Sequence, residues 1–177
     1  MIAPRTPPDQ IRLLVMDVDG VLTRGEIVYD SEGRELKSFS VRDGFGLSLW
    51  HASGFSSAVI TARGGAAVER RCAELGIRHA FEHASDKSLA LRELAEQTGV
   101  DPLAMAYIGD DWKDIPALNL VGFPAAPADA ETPVLESSAW VSRRRGGDGA
   151  VRELIEHLLE ARGALTGLLR AHGYDRP

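Results

Sequence analysis

Apolar and polar positions along the chain alternate between two periods. Short apolar runs at Arg12–Val18, Ser56–Thr61, Ala80–Glu82, Ala104–Gly109, Gly122–Ala125 and Trp140–Ser142 read as strands. Between them, spacings of three and four predict helices over Gly44–Ala52, Gly65–Leu75, Lys87–Thr98, Trp112–Leu120 and Glu131–Ser137, with Ala150–Arg162 after the last strand. Gly54, Gly76 and Gly99 stand where a helix stops on a left-handed residue. Strands alternating with helices predict βαβ units, hence an α/β, doubly wound, Rossmann-like parallel sheet covered on both faces. One segment breaks the alternation. "RGEIVYDSEGRELKSFSV" reads as strand, turn at Asp30-Ser31-Glu32-Gly33, strand: a β-hairpin flap at one edge.

The chain has 177 residues, room for one well-cored domain. It divides into an N-terminal arm (1–10), whose three prolines read as loose, a single domain (11–162) and a C-terminal tail (163–177). The net charge of −6, with acids and bases interspersed, argues against nucleic acid as a partner. The short basic run Arg143-Arg144-Arg145 before a Gly-rich turn reads as local. The single cysteine, Cys72, lies in a helical pattern as buried filler and fits a reducing cytoplasm. The sequence has no apolar run of membrane-spanning length and no signal-peptide pattern, so a membrane partner is not expected.

Chemistry gathers at the strand ends, where open parallel sheets bind ligands. "IRLLVMDVDGVLT" closes the first run with Asp17 and Asp19, two carboxylates that repel unless a counterion holds them. "VITAR" ends in Thr61, with Arg63 two residues on. "FEHASDKS" places Lys87 at a helix start, and "YIGDDWKD" brings Asp110 and Asp111, with Asp114 one turn later. A carboxylate cluster with few nitrogen or sulfur donors suits Mg²⁺, which keeps waters and pairs with phosphate. The hydroxyl and the ammonium suit the remaining phosphoryl oxygens. Taken singly, Thr61 also reads as a strand-end hydroxyl, Lys87 as a solvated lysine, and the aspartates as helix caps.

"DVDGVLT", "ITAR", Lys87 and "GDDWKD", in this order, resemble the four motifs of the haloacid dehalogenase superfamily. That resemblance implies that Asp17 is the nucleophile of an aspartyl-phosphate mechanism and Asp19 the acid and base. It implies that Asp17, the Asp19 carbonyl and Asp110 hold Mg²⁺, supported through water by Asp114, and leaves the role of Asp111 open. Thr61 and Lys87 would hold the phosphoryl group. Only the hairpin fits between Asp19 and Asp43, and nothing fits between His83 and Asp86, so the chain has no cap domain.

From Ile11 to Leu169 the sequence is similar to the capless 3-deoxy-D-manno-octulosonate 8-phosphate phosphatases of lipopolysaccharide synthesis. "VRDGFGL", "RCAELGI" and "GGDGAVREL" carry the match beside the four motifs. This implies a phosphorylated sugar acid as substrate, with Arg63 facing its carboxylate. It also implies a homotetramer built on the hairpins, in which the tail closes a neighbour's site. The alternative for the tail is that Leu165, Leu168 and Leu169 pack on their own domain. The sequence departs from the family at Ala62, in the "FEHASDK" run and at Trp112-Lys113. A nonulosonate 9-phosphate phosphatase on the same scaffold, a non-catalytic assembly module and a nucleic-acid end phosphatase are the competing readings. The intact motifs disfavour the module, and the acidic balance disfavours the nucleic acid.

Overall fold

The computed structural model describes residues 2–174. Six strands form one parallel sheet: β1 (Leu13–Met16), β4 (Ser56–Ile60), β5 (His79–Phe81), β6 (Met105–Ile108), β7 (Phe123–Ala126) and β8 (Trp140–Val141). Their order is β5-β4-β1-β6-β7-β8. Leu13 pairs with Ser56 on one side and Met105 on the other. The chain winds outward from β1 through β4 and β5, then returns to lay β6 on the opposite side of β1. The switch point therefore lies between β1 and β6, where open sheets form their crevice.

Side chains alternate across the central strands and divide the core in two. Leu14 and Met16 face the helices α1 (Val41–Ala52), α2 (Ala66–Leu75), α6 (Ala150–Ala161) and α7 (Leu165–Ala171). Leu13 and Val15 face α3 (Lys87–Thr98), α4 (Ile115–Leu118) and α5 (Thr132–Ser137). All four β1 residues are buried, as a two-sided central strand requires. Helices α2 and α3 end on Gly76 and Gly99 in the left-handed region, as their positions predict. The flap forms from β2 (Val28–Tyr29) and β3 (Glu35–Leu36), antiparallel across a turn closed by Gly33 N–H donating to the Asp30 carbonyl at 3.0 Å. No cap domain interrupts the described residues.

The structure refines several expectations. Helix α1 starts at Val41, three residues earlier than the apolar spacing implied, because Ser40 caps it by accepting from Arg42 N–H. The predicted helix at Trp112–Leu120 is a 3₁₀ turn over Trp112–Asp114 followed by the four-residue α4. Residues 2–10 are held rather than loose: Ile2 N–H donates to the Ser138 carbonyl and Arg5 N–H to that of Gly122. Helix α7 buries Leu165 and Leu169 on its own domain, each worth about 1.5–3 kcal/mol, and Leu168 packs partly buried against the same cluster. Residues 175–177, the end of the tail, lie outside the described residues. Cys72 is buried, and burial pushes its thiol up to about 11. Arg143 and Arg145 pair with Glu153 at 2.6 Å and Asp129 at 3.0 Å, so their contacts are local.

Asp43, within "VRDGFGL", ties the two halves of this face together. It is buried in α1 and accepts from the N–H groups of Gly149 (3.2 Å) and Arg152 (2.8 Å) at the start of α6. Replacing it by alanine leaves two donors without their acceptor at a helix N-terminus. Asp43→Ala should cost about 2–4 kcal/mol, read as a lowered denaturation midpoint; an unchanged midpoint would show that water replaces the cap.

Candidate active site

The carboxyl ends of β1, β4 and β6 open into one cleft of about 370 Å³. Asp17, Asp19, Thr61, Arg63, Lys87, Asp110 and Asp111 all line it, joined by Lys113, Asp129 and Glu131. The predicted residues thus meet, although they come from four separate segments.

Asp17 follows β1 directly, and its backbone N–H continues the ladder to the Ile108 carbonyl at 3.1 Å. That register sets it beside the end of β6, which leads through Gly109 to Asp110. Asp17, Asp110 and Asp114 each direct an oxygen into a space where all three atoms lie within 4.8 Å of one another. Two glycines permit this approach. A Cβ on Gly20, at φ +93°, would sit 2.0 Å from Asp110 Oδ2, and one on Gly109 would sit 2.4 Å from Asp114 Cγ.

Lys87 stands opposite them at the start of α3, buried, its Nζ 2.8 Å from Asp17 Oδ1 and 2.6 Å from Asp114 Oδ1. Asp114 is fully occupied. Its Oδ1 also accepts from the Tyr107 hydroxyl at 2.7 Å, and its Oδ2 from the N–H groups of Asp110 (3.0 Å) and Asp111 (3.1 Å). Asp111 turns outward and accepts from Trp112 N–H at 2.7 Å, capping the 3₁₀ turn. Asp114 therefore organises the cluster from beneath, while Asp111 shapes the loop.

Asp110 Oδ1 is buried and has no hydrogen-bond partner. Burial, then the neighbouring Asp17 and Asp114 charges, push the Asp110 carboxyl up to about 8. Burial and Asp114 push Asp17 up to about 6, against the pull of Lys87. Burial lowers the Lys87 ammonium's pKa, but Asp17 and Asp114 outweigh it and hold the group above its ordinary value. Three carboxylates facing one ammonium leave an excess of negative charge, and the available donors are all oxygens. That set fits a hard divalent cation such as Mg²⁺, which Asp17 and Asp110 could hold.

Thr61 is buried at the end of β4, and its hydroxyl donates to the Arg63 carbonyl at 2.9 Å while accepting from Arg63 N–H at 3.2 Å. It shapes the loop that carries Arg63. Arg63 reaches over the rim to Glu35 Oε2 at 2.7 Å. Asp19 pairs with the buried ammonium of Lys37. The sequence reading missed Glu35, Lys37 and Tyr107. The first two lie in the hairpin, where a two-residue spacing puts both on one face; Tyr107 is hidden in an apolar strand.

Comparison with known proteins identifies the family. A family model for haloacid dehalogenase-like hydrolases matches residues 76–154. The chain is 44% identical to the 3-deoxy-D-manno-octulosonate 8-phosphate phosphatase of Escherichia coli K12 over 157 residues, covering 89% of this chain and 84% of that protein. It belongs to that phosphatase family. A crystal structure of the Moraxella catarrhalis phosphatase in complex with a magnesium ion, a phosphate ion and a KDO molecule superimposes with a TM-score of 0.91 at 38% identity, over 94% of this chain and 95% of that one. The Yersinia pestis phosphatase gives 0.89 at 42% identity, over 91% and 87%.

The raised carboxyls give the cluster a pH signature. Folding lifts Asp17 and Asp110 from 3.8 to about 6 and about 8, so between these limits the unfolded chain holds fewer protons than the folded one. Stability of the metal-free protein should therefore fall as pH rises from about 4 through about 8. Mg²⁺ should reverse this, raising Tm more at pH 8 than at pH 5. Calorimetry with and without chelator checks it; an equal Mg²⁺ effect at both pH values would contradict the assignment.

Proposed function

We propose that the chain hydrolyses 3-deoxy-D-manno-octulosonate 8-phosphate to the free sugar acid and inorganic phosphate, in lipopolysaccharide precursor synthesis. It is a phosphoric monoester hydrolase of the haloacid dehalogenase superfamily, with Mg²⁺ as cofactor. The observation that carries the reading is the position of Asp17: a carboxylate at the floor of an open cleft, 2.8 Å from Lys87 and beside the unpartnered oxygen of Asp110.

Asp17 attacks phosphorus, forming an aspartyl-phosphate as the ester P–O bond breaks. Asp19, on the same loop, gives the departing alkoxide a proton. It then takes one from the water that attacks phosphorus and frees the Asp17 carboxylate. Lys87 and the Thr61 loop hold phosphoryl oxygens as charge moves between them. Mg²⁺, when bound by Asp17, the Asp19 carbonyl and Asp110, neutralises phosphoryl charge and lets two carboxylates approach a dianion. Arg63, across the cleft, serves the sugar acid's carboxylate, for which a guanidinium fork is suited.

The octulosonate is favoured over a nonulosonate 9-phosphate by the relatives of similar length and fold. A non-catalytic module would have no use for the charge excess in the cleft. In Mg²⁺, kcat/KM for phosphate release should be at least about tenfold higher for phosphorylated 2-keto-3-deoxy acids than for hexose phosphates, as loss of one charge-assisted contact implies. Equal rates across such a panel would refute a carboxylate-reading site.

The hairpin supports a homotetramer. Ile27, Val28, Tyr29 and Leu36 are 46–59% exposed, an apolar surface that a two-stranded ribbon cannot bury alone. Phe39, just beyond the hairpin, instead packs on the core beneath Arg71. Among the described residues no helix is long and apolar enough to cross a membrane, consistent with a reaction in the cytoplasm on a diffusible substrate. Light scattering should give four times the chain mass, and Leu36→Glu should lower it; a monomer with full activity would show that the hairpin needs no partner.

A further inference from the structure

Strand β3 and the residue after it bring Glu35 and Lys37 to the cleft's rim on one face of the ribbon, with Leu36 between them exposed. Lys37 Nζ contacts Asp19 Oδ1 and lies 3.0 Å from Glu35 Oε1, and only 4% of its side chain is exposed. Glu35 Oε2 in turn accepts from Arg63 Nη2 at 2.7 Å, and the guanidinium donates a further hydrogen bond to the Tyr29 side chain. One chain of alternating charges, Asp19–Lys37–Glu35–Arg63, therefore joins the group proposed to move protons to the group proposed to read the substrate. Arg63 Nε is buried without a partner. Its pairing with Glu35 leaves part of the fork unused.

A substrate carboxylate would use the fork from both sides, through two parallel hydrogen bonds. Glu35 already provides the same chemical group at the same guanidinium. We propose that Glu35 is a placeholder for the substrate's carboxylate: it holds Arg63 over the cleft in the free enzyme and gives it up, turning to Lys37, when a sugar acid binds. The inference rests on the assignment of Arg63 to that carboxylate. Lys37 lies 3.0 Å from the second Glu35 oxygen, so the released side chain has a cation waiting. A phosphate ester without a carboxylate leaves the Glu35–Arg63 pair intact. Glu35 is thus an internal competitor whose displacement only a carboxylate-bearing substrate requires.

The test is a double-mutant cycle read on two substrates. KM and kcat are measured for 3-deoxy-D-manno-octulosonate 8-phosphate and for p-nitrophenyl phosphate with the wild type, Glu35→Gln, Arg63→Ala and the double variant, with Glu35→Ala as a second substitution in case the first perturbs the hairpin. Removing the competitor should lower KM for the sugar acid about three- to tenfold relative to p-nitrophenyl phosphate, the weight of a half-exposed charge-assisted pair. That advantage should vanish in the Arg63→Ala background. A raised or unchanged KM, an equal shift on both substrates, or a shift that survives without Arg63 would overturn the placeholder. If Arg63→Ala alone harms both substrates equally, the carboxylate assignment falls and the placeholder with it. If Arg63→Ala is selective and Glu35→Gln is not, the placeholder alone falls.

Discussion

The contact between Lys87 and the carboxylates of Asp17 and Asp114 is the constraint on which the site depends. Three acids and one ammonium share one small space at the cleft floor, with Asp17, Asp114 and Lys87 buried. Such a group is tolerated because each member has an assigned partner or is left open for a ligand. Asp114 is saturated by Lys87, Tyr107 and two backbone N–H groups, so it acts as a fixed negative anchor. Lys87 spans from that anchor to Asp17 and holds this proposed nucleophile in place. Asp110 keeps one oxygen unpartnered, and that is where the cluster asks for a cation.

The fold supplies this arrangement through strand register. β1 and β6 are neighbours in a parallel sheet, so their ends lie side by side and the residues just beyond them meet. The topological switch between these strands opens the crevice at that point. Glycine at 20 and at 109 removes the Cβ atoms that would separate the acids. With no cap domain among the described residues, the hairpin reaches the rim, where Glu35 and Lys37 join the site while Val28 and Leu36 stay exposed.

The parts legible in the sequence were those with a local signature. Continuous apolar runs marked β1, β4 and β6 because central parallel strands are buried on both faces. The acids were legible because charge directly after such a run has few structural uses. What escaped depended on long-range placement. Lys37 pairs with a residue eighteen positions away across a turn, and nothing in "GRELKSF" reveals which face meets the cleft. Tyr107 reads as core filler, yet its hydroxyl reaches Asp114 from inside the sheet. Asp111 and Asp114 look equivalent as letters; a 3₁₀ turn points one outward and the other in. The predicted helix at 112–120 was shortened by the same turn, which Asp114 closes from beneath.

The proposed mechanism requires that Asp17 become covalently phosphorylated. The most direct measurement is peptide mass spectrometry after acid quench of the Asp19→Asn protein mixed with 3-deoxy-D-manno-octulosonate 8-phosphate and Mg²⁺. Without its base, the variant should accumulate the mass of one phosphoryl group on the peptide containing Asp17, lost on mild alkaline treatment. Phosphate release with no adduct in the wild type or the variant, or an adduct on another residue, would contradict it.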